Sequence, residues 1–227
     1  MQRVREFIGS ELLKNSSRPE AENFNGRENP ARSTYPESER DRMNNEKLIG
    51  TVIDCGAAKA VVIPESQIVT NEVFRDICAG NACGKYGKCW MCPPDVGDIH
   101  ELMARVREFS FALLYQTIGE LEDSFDIEGM NEAGAEHARV SRKLDALLPE
   151  TMTGKYLHLS CGGCRYCEKC AKETGEPCRS PDHAMPSLES YGIDVYNTTK
   201  DTPLKYINGP DTVTYFGMVL FSEGQHG

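Results

Sequence analysis

Five cysteines crowd one stretch, CGGCRYCEKCAKETGEPC, in which Cys161, Cys164, Cys167 and Cys170 lie three apart and Cys178 follows eight later. With glycine, proline and charge filling the gaps, this stretch cannot be regular helix or strand, and apolar burial alone does not order it. A metal group would. Three thiolates at CxxCxxC spacing wrap a compact loop and reach three iron corners of a cubane, while the fourth iron takes a cysteine from farther along, a place that suits Cys178. Pro181 soon after it echoes the proline that follows the remote cysteine of ferredoxins. Zinc is the alternative: it also takes four thiolates, but its usual pattern is two CxxC pairs, and a closed zinc site leaves the fifth cysteine of this run without a use.

A second constellation lies upstream in CAGNACGKYGKCWMCPP, with Cys78, Cys83, Cys89 and Cys92 at spacings of five, six and three. Four cysteines complete one metal site, so this loop is expected to hold a second cluster or a zinc, or to share ligands with the first in the crossed manner of two-cluster ferredoxins. Gly80, Gly84 and Gly87 let the backbone curl inward and aim amide N–H groups at sulfur, and Pro93 stiffens the exit. A turn with buried thiols is the competing reading.

The rest of the composition says where such a protein works. With 35 Asp plus Glu against 25 Lys plus Arg the net charge is −10, which repels nucleic acid and anionic lipid surfaces. The longest apolar stretches, at 110–115 and 216–221, are far short of the roughly 20 residues that cross a bilayer. The first residues lack an apolar h-region and a small-residue cleavage site. No nucleic acid, no membrane and a cytoplasmic location are the expectations. In that reducing compartment the 10 cysteines are metal ligands rather than disulfides.

Residues 1–47 divide from the rest. Val4, Phe7, Ile8 and Leu12 recur at helical spacing, but 15–47 hold too few apolar side chains to offset their ordering entropy and are expected to be a disordered linker. The cysteine-rich domain is placed at 48–227. There LIGTVID and KAVVIP read as two β-branched strands, TNEVFRDIC as a short helix capped by Thr70, and Asp98 with Glu101 as a capping box opening a helix that reaches Phe109. FALLYQT is a strand, and a helix capped by Asn131 and stopped by Pro149 follows. YLHLS and VTYFGMVLF are further strands, with a short helix at SLESYG between them. The fold class expected is α/β or α+β, a single mixed sheet with packed helices and two cysteine-rich metal-binding loops.

The segments YGKCWMCPP and CRYCEKCAKETGEPCRSPDHAMPSLESYGIDV resemble the two signatures of domain of unknown function family 2284, predicted metal-binding proteins of anaerobic bacteria and archaea. The resemblance covers about residues 48–221 and implies an iron-sulfur or other metal-binding function with no established reaction. It implies C-terminal ligands at Cys164, Cys167, Cys170 and Cys178 and N-terminal ones at Cys78, Cys83 and Cys92, with Cys161 and Cys89 additional.

Other residues carry less. His158 fits the alternation of a strand, His137 lies on an apolar helical face, and His183 follows Cys178 in a loop. Cys55 has no spacing partner and reads as a buried small side chain. Lys85, Lys88, Arg165, Lys169 and Arg179 crowd the cysteine loops, where positive charge favours a reduced cluster. GKYGK is not a P-loop, and no Ser, His and Asp arrangement is placed by spacing.

The expected function is an iron-sulfur protein with one or two [4Fe-4S] clusters that passes electrons to a redox partner protein, with reductive activation of a low-potential metalloenzyme as one use. Two alternatives stand beside it. One is an enzyme with a three-thiolate cluster that binds a small substrate, the other a zinc-stabilised protein-binding module.

Overall fold

The computed structural model describes residues 37–152 and 154–222; the helix expected around residues 4–12 lies outside them. Four strands, β1 (Lys59–Pro64), β2 (Phe111–Glu120), β3 (Tyr156–Leu159) and β4 (Thr212–Phe221), form one sheet in the order β1-β2-β4-β3. All three strand pairs are antiparallel; among the described residues the one parallel pairing is the isolated bridge Ser160–Ser187. With the helices α1 (Glu37–Asp54), α2 (Val73–Ala79), α3 (Ile99–Val106), α4 (Ile127–Thr151) and α5 (Val195–Thr199), the fold is α+β.

The sheet is covered on both faces, which explains why its two central strands read as near-continuous apolar runs. Leu113 and Tyr115 of β2 and Val219 and Phe221 of β4 point at α1 and α4, where they meet Leu48, Val52, Val140, Leu144 and Leu148. The alternating residues Ala112, Leu114, Phe216, Met218 and Leu220 face the other way, onto α3 and the segment carrying Leu188, Tyr191 and Ile193. One face therefore carries long helices. The other carries short helices and turns.

Residues 48–54 correct the sequence reading: LIGTVID is the last part of α1, not a strand. Its β-branched content suggested extended structure, but Leu48, Val52 and Cys55 recur at steps of four and three and are all buried against the sheet, the spacing of a helix face. The helix begins at Glu37, inside the stretch whose composition suggested a linker. It ends at Asp54, and Gly56 just beyond it turns the chain at a φ of 113°, a conformation that glycine adopts without strain.

Three capping expectations also change. Helix α2 starts after Glu72, and Asn71 Oδ1, not Thr70, accepts from the Val73 amide. Helix α4 is capped by Asp126, which accepts from the Gly129 amide at 2.8 Å, so Asn131 lies inside the first turns. Pro149 sits within the last turn of that helix, which continues to Thr151. Asp98 does cap α3, accepting from the His100 and Glu101 amides, but that helix stops at Val106 rather than Phe109.

Between the sheet and α4 lies a buried polar layer. A Cβ on Gly217 would fall 2.2 Å from the Tyr115 ring, so glycine on β4 is what lets the phenol cross the neighbouring strand. The hydroxyl then bonds Ser141 Oγ at 2.8 Å and His158 Nε2 at 2.8 Å. Gly217→Ala is expected to lower the unfolding free energy by about 2–4 kcal/mol, from overpacking and from the loss of these bonds. Urea unfolding checks it; a change under about 0.5 kcal/mol, the scatter of surface substitutions, would mean the phenol has another place to go.

Candidate metal centre

The two cysteine loops meet beside α4: Arg142 of that helix donates to the Arg165 carbonyl at 3.2 Å, and Cys161 and Cys164 share a pocket with His137 and Arg142. Cys89 and Cys92 are the buried members of the N-terminal loop, which is curled by Gly84 and Gly87, both at positive φ, and closed by the Gly87 amide donating to the Pro93 carbonyl at 2.9 Å. The C-terminal loop packs directly against it: a Cβ on Gly163 would lie 2.9 Å from Lys85 Cγ and 3.3 Å from Cys92 Sγ. Glycine there permits the close approach of loop to loop.

A second clamp is Trp90. Its indole N–H donates to the Glu176 carbonyl at 2.9 Å, reaching across from one loop to the other. Lys172 Nζ stands 4.1 Å from the centre of the indole ring and also pairs with Asp95. Arg179 closes the C-terminal loop on itself, donating to the Lys169 carbonyl at 3.1 Å and pairing with Glu176 at 3.2 Å.

Between the loops lies a cleft lined by Cys89, Trp90, Cys164, Cys167, Cys170 and Cys178. Sequence spacing grouped Cys89 with the N-terminal set; the fold turns it towards the C-terminal one. The Cys89 sulfur accepts from the Cys92 thiol first of all, and also from the Met91 and Cys164 amides and the Cys170 side chain. These bonds draw the Cys89 thiol well below its ordinary value, and the same pairing together with burial pushes Cys92 up. Burial raises Cys164, opposed by N–H bonds from the Tyr166 and Met185 amides. Amide donors aimed at sulfur favour a thiolate over a thiol.

The remaining candidates stand elsewhere. Cys78 closes α2, half-buried, and Cys83 is exposed in the loop beyond; neither lines the cleft, although both are in electrostatic reach of Cys92. Cys161 faces a second, smaller pocket with His137, Arg142, Ser160 and Arg165, and burial lifts its thiol to about 12. All ten cysteines are unpaired. Cys55 is buried in the α1 layer as a small side chain. Among the described residues no three His, Cys, Asp or Glu side chains converge to hold a single ion.

Spacing did not signal Glu189, which burial raises and which lies in electrostatic reach of Cys78 and Cys161. Nor did it signal the clamp on Trp90, since a lone Trp among glycines and cysteines has no periodic partner.

A family model described as "Predicted metal-binding protein (DUF2284)" matches residues 61–221, a span that holds both cysteine loops and all of the sheet except the first two residues of β1. The chain belongs to this family. Comparison with curated proteins and with solved structures yields no match. As a member of DUF2284 the chain is a metal-binding protein, and the cleft is where five of its ten thiols gather. Among the described residues no helix is long and apolar enough to cross a membrane.

The clamp makes a prediction for this DUF2284 chain. Lys172→Ala removes the cation from the indole face and leaves the half-buried Asp95 unpaired, so the loops part more often. A chelator is expected to strip metal roughly 5-fold faster, the factor for about 1 kcal/mol of cation–π and ion-pair contact. Trp90, the chain's one tryptophan, reports the parting as a red-shifted emission. Unchanged stripping and emission would mean that other contacts hold the loops.

Proposed function

We propose that this protein carries a [4Fe-4S] cluster in the cleft, held by Cys164, Cys167, Cys170 and Cys178, and passes single electrons to a partner protein. The observation that carries the reading is the gathering of these four cysteines with Cys89 around one cleft. A cubane spreads its thiolates over four separate iron corners. A zinc ion needs all four at about 2.3 Å from one point, a convergence that no group of the described side chains makes.

One cluster is better supported than two, because Cys78 and Cys83 stand outside the cleft and Cys89 has turned away from them. The three-thiolate reading has its own support there: Cys78, Cys83 and Cys92 lie in mutual electrostatic reach, with Cys92 joined to the cleft through its bond to Cys89. The partner is expected to present basic side chains, since the chain's net charge is −10 and opposite charge speeds encounter. Reductive activation of a low-potential metalloenzyme is a use consistent with this chemistry.

Serine substitutions at the two contenders for the fourth iron test the ligand set. Cys178→Ser is expected to lose most of its iron and acid-labile sulfide while Cys89→Ser keeps them. The reverse result makes Cys89 the fourth ligand, and full retention in both would contradict a cluster in this cleft.

A further inference from the structure

A line of hydrogen-bonded side chains runs from solvent beside the cleft into the polar layer under α4. His183, half-exposed, bonds through Nδ1 to Asp145 Oδ2 at 3.0 Å. The other oxygen of that buried carboxylate bonds His158 Nδ1 at 3.2 Å. His158 Nε2 meets the Tyr115 hydroxyl, Tyr115 meets Ser141, and Ser141 Oγ lies 3.1 Å from Ser160 Oγ. At its outer end the His183 ring stacks on Tyr166 at 5.2 Å between centres and 7° between planes, and Tyr166 lines the thiol cleft between Cys164 and Cys167.

The chemistry of this line is set by its one carboxylate. Asp145 is acceptor-only when ionised, so each histidine donates to it through Nδ1–H, and His158 Nε2 is left to accept from the Tyr115 hydroxyl. Burial pushes the Tyr115 phenol far above its ordinary value, so it stays neutral and the mobile charge is confined to Asp145 and the two imidazoles. A proton added at the exposed edge of His183 brings a positive charge within hydrogen-bond distance of that buried carboxylate.

We propose that His183, Asp145 and His158 form a proton-uptake relay coupled to the redox state of the thiol cleft, His183 taking one proton from solvent for each electron that a one-electron donor delivers to the group the thiols hold. The proposal rests on the electron-carrier reading above. The charge balance is simple: one electron arrives from the reductant, one proton arrives from water at His183, and the net charge of the cleft region is unchanged. Among the described residues, the titratable or charged groups around the relay include Tyr115 on β2, Cys55 after α1, His137 on α4, Tyr215 on β4, Asp182 beside His183 in the chain, and Arg142, Arg165, Tyr166 and Cys161 around the two pockets.

The test is the midpoint potential of the full chain, loaded anaerobically with iron and sulfide, between pH 5.5 and 8.5. The wild-type potential is expected to fall as pH rises, towards about 59 mV per pH unit, the tenfold change of one proton per electron. His183→Gln and Asp145→Asn flatten the slope. His100→Gln, an exposed histidine on α3 paired with Glu72, keeps it. Should Asp145→Asn fail to fold, His183→Gln carries the test, because that side chain is half-exposed. A reversible couple with a flat profile, or a slope that survives His183→Gln, overturns the relay and leaves the cluster standing. Absence of any reversible couple brings down the electron-carrier reading and the relay with it.

Discussion

Serine at both Cys164 and Cys170 is expected to leave a chain that folds but holds less than about a tenth of the iron and sulfide of the parent, because a CxxCxxC loop supplies three of four cluster corners. Two lost thiolates leave only Cys167 and Cys178 of the four proposed ligands. The fold should persist, since both apolar layers are built without these side chains. Helical and strand content by circular dichroism would stay near the parent value. Cys55→Ser is the control: that thiol is buried in the α1 layer and its loss should cost stability without changing metal content. Equal iron and sulfide in the double variant and the parent would remove the cleft from consideration.

The gathering of the C-terminal cysteines was legible because their spacing is local: three-residue steps keep Cys164, Cys167 and Cys170 near one another whatever the rest of the chain does. The partnership of Cys89 with that loop was not, because it depends on the approach of Gly163 to Cys92 and on Trp90 reaching Glu176, contacts between residues some seventy or more positions apart. Strands β2 and β4 were read from their apolar runs and β3 from its alternation. The end of α1 was missed because β-branched residues in LIGTVID outweighed the four-and-three spacing of Leu48, Val52 and Cys55. His158 was read as a strand residue, and it is one; its bonds to Asp145 and Tyr115 join three elements and leave no local pattern.

Acid should weaken the fold through His137. This histidine is fully buried on α4, bonded through Nδ1 to Thr117 Oγ1 at 2.9 Å, and burial lowers its pKa from 6.5 to about 3. The unfolded chain therefore binds this proton more tightly than the folded one, so stability rises with pH across the window and is lost as pH falls from about 6.5 towards 3. The loss between pH 7 and pH 4 comes to about 3 kcal/mol at ~1.4 kcal/mol per pKa unit. His137→Gln keeps a polar side chain that does not titrate, and its unfolding free energy should change about 3 kcal/mol less over the same interval. Urea titrations at the two pH values measure this. Identical pH dependence in parent and variant would show that His137 is not the group that takes up the proton.

Whether the thiol cleft holds a cubane is read directly from iron, acid-labile sulfide and zinc per chain after anaerobic purification, with visible spectra before and after dithionite. Iron and sulfide in equal amounts, about four of each, with a broad visible band that bleaches on reduction, is the result expected for one cluster. Stoichiometric zinc without sulfide, in a colourless protein that dithionite leaves unchanged, would contradict it.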